Sequence, residues 1–188
     1  LMQVVKEMDA GGVADSERVR IDTQDIGPDV RVKIGAAVVP LLRRNLGPAL
    51  AGELNFVEQN LAEITYCRKI RKEDGLIDFS QSAQSIYDRL RAFTPWPGGA
   101  FDHGAERIKV GPHSITSAVS SAAIAPGTVL AIEPALSIAT GAGTLQLHEL
   151  QRAGGRMLPV ADFLRGYPIE PGELLIGGKA APLVRKEP

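Results

Sequence analysis

Leu136-Ser137-Ile138-Ala139-Thr140-Gly141-Ala142-Gly143-Thr144-Leu145-Gln146-Leu147-His148-Glu149-Leu150 is two runs of strand-forming residues joined by a glycine-rich link. Leu136–Thr140 and Leu145–Leu150 are each long enough for a strand. Gly141-Ala142-Gly143 reads as a hairpin turn whose glycines supply positive φ. It is not a phosphate loop, because no helix follows and the dinucleotide spacing is absent. Further short runs lie at Arg107–Val110, Ser114–Ser117 and Thr128–Glu133, rich in Val, Ile, Thr and Ala. Gly and Pro break the chain roughly every eight to twelve residues, which predicts a small antiparallel barrel or sandwich. A closing helix is expected over Val160–Leu164, before Gly166 and Pro168 stop it.

Upstream of these strands the periodicity turns helical. From Ser80 to Ala92 the apolar residues Ala83, Ile86, Tyr87 and Leu90 share one helical face, with Ser80 placed to accept from the first free amides. Pro95 disfavours helical geometry at Thr94 and turns the chain out. Trp96, the only tryptophan, is thereby held between Pro95 and Pro97, and its large ring predicts a packing anchor. Residues 1–48 read as a strand at Leu1–Val5, a second strand at Val19-Arg20-Ile21, and a helix opening near Pro28. That helix carries Val30, Ile34, Val38, Leu41 and Leu42 at helical spacing and is expected to end at Gly47-Pro48. Residues 49–60 read as a linker, because Gly52 and several polar residues interrupt the pattern, and 61–188 hold the β-rich part. The first strand needs neighbours to satisfy its backbone groups, so residues 1–48 are expected to be the less stable part.

Composition narrows the partners. At 188 residues, 44% apolar and 23% charged, the chain is long enough for one full core and a smaller piece. No run of eighteen apolar residues and no secretory segment is present, which leaves no membrane partner and a cytoplasmic location as the default. Cys67 is the only cysteine and forms no internal disulfide; in an apolar-flanked strand it reads as an inert buried thiol. A formal net charge of −1 excludes a strongly basic domain, so a nucleic-acid footprint must be local. The candidate is Arg68-Lys69-Ile70-Arg71-Lys72, four cations in five residues, suited to anchoring phosphates without reading sequence. Glu73, Asp74 and Asp78 follow at once and make a solvated, self-neutralised face the competing reading. Arg89, Arg91 and Lys109 are weaker candidates of the same kind.

Other chemistry-bearing residues lack a supporting pattern. His103, His113 and His148 have no paired spacing and no second cysteine beside them, so no metal site is expected. The serines at 114, 117, 120 and 121 follow His113 without a nucleophile elbow and read as a strand running into a polar loop. Asp9, beside Gly11, suits a turn.

The motifs around the tryptophan carry a resemblance. Lys72-Glu73-Asp74-Gly75-Leu76-Ile77-Asp78-Phe79-Ser80, then Leu90-Arg91-Ala92-Phe93, then Pro95-Trp96-Pro97-Gly98, are similar to the methionyl-tRNA formyltransferase family over its domain junction and C-terminal domain. Met8-Asp9-Ala10-Gly11 resembles that family's M-D-x-G segment and Ala125-Pro126-Gly127-Thr128-Val129 its A-P-G-T strand entry. Phe163-Leu164-Arg165-Gly166-Tyr167, with Pro171-Gly172, resembles its C-terminal signature. The resemblance covers nearly the whole chain and implies an α+β protein. It would be the C-terminal part of a Rossmann-like formyltransferase domain, followed by an OB-like antiparallel β-barrel. In the family an asparagine, a histidine and an aspartate upstream of M-D-x-G carry formyl transfer, beside a pocket for 10-formyltetrahydrofolate. None of the three has a counterpart here, so the expectation is a fragment that is inactive alone and holds no cofactor. The implied partner is initiator methionyl-tRNA, held by basic groups of the junction and C-terminal domain; this favours Arg68, Lys69, Arg71 and Lys72, then Arg89, Arg91 and Lys109. Two alternatives stand beside this: a sugar-nucleotide N-formyltransferase whose barrel has lost its basic face, and a stand-alone RNA-binding module without a catalytic half.

Overall fold

A computed structural model describes residues 1–116 and 124–185, with backbone only at Leu61 and Arg185. The chain divides into two compact units, residues 1–68 with the chain's last few residues, and Lys69–Leu183.

The first unit is dominated by one helix, α1, Gly27–Ala51. Its start follows the sequence: Pro28 lies in the first turn, and the Asp29 carboxylate accepts the Ile26 amide at 3.1 Å. Its end does not. Pro40 and Pro48 both lie inside the helix, because proline's φ is itself helical and each removes only one donor. The stop is Gly52, left-handed at φ 72°, whose amide turns back to the Ala49 carbonyl. No residue of α1 is buried, and Val32, Val39, Leu46 and Leu50 are exposed along it. Its polar side is tied to the preceding segment by Arg44 on Asp15 and Glu17, at 2.6 and 2.5 Å, and by Lys33 on Asp22 and Asp25, at 2.7 and 2.5 Å. The expected strands at Leu1–Val5 and Val19–Ile21 form no ladder: Met2 makes a single bridge to Val13, and residues 19–21 make none. A strand forms only where a neighbour takes its amides and carbonyls in succession; here the Gln3 amide bonds the Gly12 carbonyl and the Leu1 carbonyl accepts the Ala14 amide, both at 2.9 Å, and the pairing goes no further. A two-stranded ribbon pairs β1, Tyr66–Cys67, with β10, Val184–Arg185. Cys67 is exposed rather than buried, on a two-stranded ribbon that contributes no residue to the core.

The second unit holds helix α2, Ala83–Ala92, and eight strands: β2 Gly99–His103, β3 Glu106–Val110, β4 His113–Thr116, β5 Val129–Ala131, β6 Leu136–Ala139, β7 Thr144–Leu147, β8 Glu149–Gln151 and β9 Leu158–Pro159. Helix α3, Val160–Gly166, follows β9. The strands form two four-stranded antiparallel sheets, in the orders β2-β3-β8-β9 and β4-β7-β6-β5. Between them lies one core built on Phe101, Ile108, Leu136, Ile138, Leu145, Leu147 and Leu150, all fully inaccessible, closed by Ile86 and Leu90 of α2 and Phe163 of α3. The fold is therefore α+β, with antiparallel sheets.

Several local expectations change on contact with this core. The run 145–150 is two strands, because the chain bends at His148 and passes from one sheet to the other; the His148 amide meets the Pro112 carbonyl at 2.9 Å. The α2 cap is Ser82, whose Oγ accepts the Ser85 amide at 3.2 Å, while Ser80 donates to Asp78 at 2.6 Å. In the β6–β7 hairpin only Gly143 has positive φ, at 82°. Gly141 is there for room instead, since a Cβ would lie 2.0 Å from the Ser80 carbonyl oxygen. Trp96 is no packing anchor: it is 59% exposed. Ser117 and the serines at 120 and 121 lie outside the described residues.

His113, at the start of β4, packs edge-to-face on Tyr87 with centroids 5.2 Å apart. Burial holds its imidazole below the ordinary value of 6.5, against a hydrogen bond to the Gly111 carbonyl. The unfolded chain then binds the proton first, so this residue's contribution is complete above the ordinary value and is lost as pH falls below it. Thermal melts between about pH 5 and pH 7.5 are expected to show stability dropping toward acid, with a shallower drop in His113→Phe. An identical slope in the variant would place the acid sensitivity elsewhere.

Candidate nucleic-acid interface

The basic run at the start of the second unit is shaped by an acid. Lys72–Gly75 forms one 3₁₀ turn, closed by the Asp74 carboxylate, which accepts the Arg71 amide at 2.7 Å. Asp74 is buried at 8% exposure, and Arg89 of α2 reaches it twice: Nε donates to its carbonyl at 3.3 Å, and a terminal nitrogen lies 3.8 Å from its carboxylate. The same guanidinium stacks 4.8 Å over Phe93. Asp74 thus serves the backbone of the turn and Arg89, and Lys69, Arg71 and Lys72 are exposed. Gly75 closes against Gly98, where a Cβ would lie 2.3 Å from the carbonyl oxygen.

The outer face of the β2–β3 hairpin continues this surface. Register pairs Asp102 with Arg107 and Ala100 with Lys109, so alternation points all four away from the core while Phe101, Ile108 and Val110 point in. Arg107 grips Asp102 with two bonds, at 2.8 and 3.1 Å. That contact holds the Asp102 carboxyl below its usual range and raises Arg107 above its own. Lys72, Asp102, Arg107 and Ile176 line one open depression of about 460 Å³. Asp102 pairs with Arg107, so Lys72 and Lys109 are the exposed cations of this face, with Glu73 beside Lys72.

Of the other sequence candidates, Arg68 belongs to the first unit and is half-buried. Arg89 and Arg91 are largely withdrawn from solvent, Arg89 on Asp74 and Arg91 on Asp88 at 2.7 Å and over the Tyr87 ring at 5.2 Å. Sequence reasoning passed over Arg107, although its two-residue spacing from Lys109 on one strand is the signal that finds it. It also passed over Arg152 and Arg156, which line a second depression of about 310 Å³ with Phe163 and Tyr167. Arg152 bonds Glu106 and stacks 4.8 Å over Tyr167, whose hydroxyl donates to the His103 carbonyl at 2.9 Å. His103 in turn bonds Glu173 at 2.6 Å. Burial, then Glu106, pushes the Tyr167 hydroxyl above its ordinary value. Among the described residues no group of three His, Cys, Asp or Glu side chains is arranged to hold a metal ion, and no helix is long and apolar enough to cross a membrane.

Residues 69–168 match the family model for the formyl transferase C-terminal domain, beginning where the second compact unit begins. The chain is 37% identical over 177 residues to a methionyl-tRNA formyltransferase of Acidovorax ebreus, covering 93% of the chain and 55% of that relative. It is 36% identical over 178 residues to the methionyl-tRNA formyltransferase of Delftia acidovorans, covering 94% and 54%. The chain thus spans about half the length of the curated relatives it matches. Among solved structures, the fold is similar to an N-formyltransferase from Helicobacter canadensis bound to folinic acid and dTDP-3-aminofucose. The TM-score is 0.60 at 16% identity, over 78% of this chain and 52% of that one.

Proposed function

The chain belongs to the formyl transferase C-terminal domain family, and from that premise we propose that it is the tRNA-holding part of a methionyl-tRNA formyltransferase. In this reading the whole enzyme moves a formyl group from 10-formyltetrahydrofolate to the α-amino nitrogen of methionine on initiator tRNA, in translation initiation. Residues 1–48 are the tail of the catalytic domain, 49–60 a linker, and 61–188 the C-terminal domain. This reading makes the C-terminal domain an OB-like barrel, and what supports it is a pair of four-stranded antiparallel sheets around one core.

One observation carries the tRNA assignment: Lys72 and Lys109 are both exposed, Lys72 lining the depression beside Arg107 and Lys109 two residues from Arg107 on the same face of β3, with Asp74 held by Arg89 and Asp102 by Arg107. Exposed cations on a turn and strand release counterions when they meet phosphates, and so bind a backbone without reading its sequence. In this reading the folate and the transfer chemistry belong to the part of the relatives that this chain does not span, and the chain's part is to position the tRNA, an entropic contribution to rate.

The purified chain is expected to bind labelled tRNA with an affinity that falls steeply with salt, and to form no formylmethionyl-tRNA above background when given both substrates. Salt-independent binding, or measurable formylation by this chain alone, would refute the division of labour.

A further inference from the structure

Trp96 is the only tryptophan of the chain and stands 59% exposed on a corner whose backbone is tied to α2. The Gly98 amide bonds the Phe93 carbonyl at 3.0 Å, and Thr94 Oγ1 bonds the Leu90 carbonyl at 2.8 Å, so the corner closes tightly on the end of α2. That corner also borders the basic turn, because the Gly98 carbonyl and Pro97 sit against Gly75 with room for no side chain between them. Phe93 beside it is buried and already covered by Arg89, whereas no ring of the described residues stacks on Trp96. An uncovered indole on this closed corner, next to the turn that carries exposed Arg71 and Lys72, offers a flat apolar surface and positive charge together. An unpaired nucleotide presents the complement of both, a base with two π faces on an anionic backbone.

We infer that Trp96 is a stacking platform for an unpaired base of the bound RNA, whose phosphates meet Arg71 and Lys72. The inference rests on the tRNA reading above and adds to it the class of nucleotide recognised: single-stranded, not helical. Duplex RNA keeps its bases stacked on one another and offers the indole nothing beyond its backbone.

Because Trp96 is the sole tryptophan, emission excited at the red edge of the indole band, where the three tyrosines do not absorb, reports this ring alone. The chain is titrated with initiator tRNA, with a single-stranded oligoribonucleotide of about ten residues, and with a blunt duplex of equal length. Anisotropy of the labelled RNA gives binding independently of the indole. The tRNA and the single strand are expected to quench the emission strongly, and the duplex to bind with little quenching. Trp96→Ala is expected to weaken single-strand binding about tenfold, and Trp96→Phe, which keeps a flat ring, to restore most of it. Circular dichroism of both variants should match the parent, since the side chain closes no core. RNA that binds with emission unchanged and Trp96→Ala within about twofold of the parent overturns the platform, as does equal quenching by polyphosphate, which has no bases. If labelled tRNA fails to bind at all, it is the tRNA reading that falls, and the platform falls with it.

Discussion

Replacing Lys69, Arg71, Lys72 and Lys109 together by glutamine is expected to weaken tRNA binding by roughly a hundred- to a thousandfold at about 50 mM salt. The slope of log affinity against log salt should shrink by up to about 3.6, at about 0.9 for each phosphate no longer neutralised. These four are the sequence-predicted cations that are exposed and lie within the second unit. Arg107 is left in place because Asp102 already neutralises it. Arg89 provides the internal control. Its guanidinium holds the Asp74 turn and covers Phe93, so Arg89→Gln should lower stability and leave the salt slope near the parent's. If the fourfold variant kept the parental slope, the basic face would be a solvated surface with no phosphate on it, as the acids following Lys72 first suggested.

Phe101→Ala is expected to destabilise the second unit by about 3–5 kcal/mol, a large part of a typical domain's roughly 5–15 kcal/mol. Phe101 is fully inaccessible in the middle of β2, its cross-strand partner is the equally inaccessible Ile108, and both belong to the cluster that joins the two sheets. Removing the ring leaves a void that this core is poorly placed to collapse into, because Leu136, Ile138, Leu145 and Leu147 approach it from a paired sheet. Asp102 follows it directly in β2 and pairs with Arg107, so tRNA binding should fail together with folding, along the same urea curve, and not with a changed salt slope. Destabilisation under about 1 kcal/mol would mean that the two sheets do not share this core.

Much of this was legible in the chain because it is local. The glycine-punctuated runs from 107 to 150 announced antiparallel strands, the spacing of Ala83, Ile86 and Leu90 announced the buried face of α2, and Pro28 with Asp29 announced the start of α1. Strand β2 escaped notice because Gly99, Ala100 and Asp102 have low strand propensity; pairing with β3 through a hairpin overrides it. Pro48 looked like a stop because a missing donor is visible in sequence, whereas the left-handed turn at Gly52 that ends the helix is a matter of backbone conformation.

The site divides the same way. By itself the sequence determined the family, the β-rich second part and the presence of a cationic run, since each depends on residue identity and near-neighbour spacing. Only the tertiary structure decided which cations face outward. Asp74 could neutralise Lys72 or pair with Arg89, 15 positions further along the chain, and packing of α2 against the turn chose the second. Likewise Trp96 was expected inside on its size alone. Whether a large ring is buried depends on what folds back over it, and the chain closes the corner at Phe93 and Gly98 while leaving the indole in solvent.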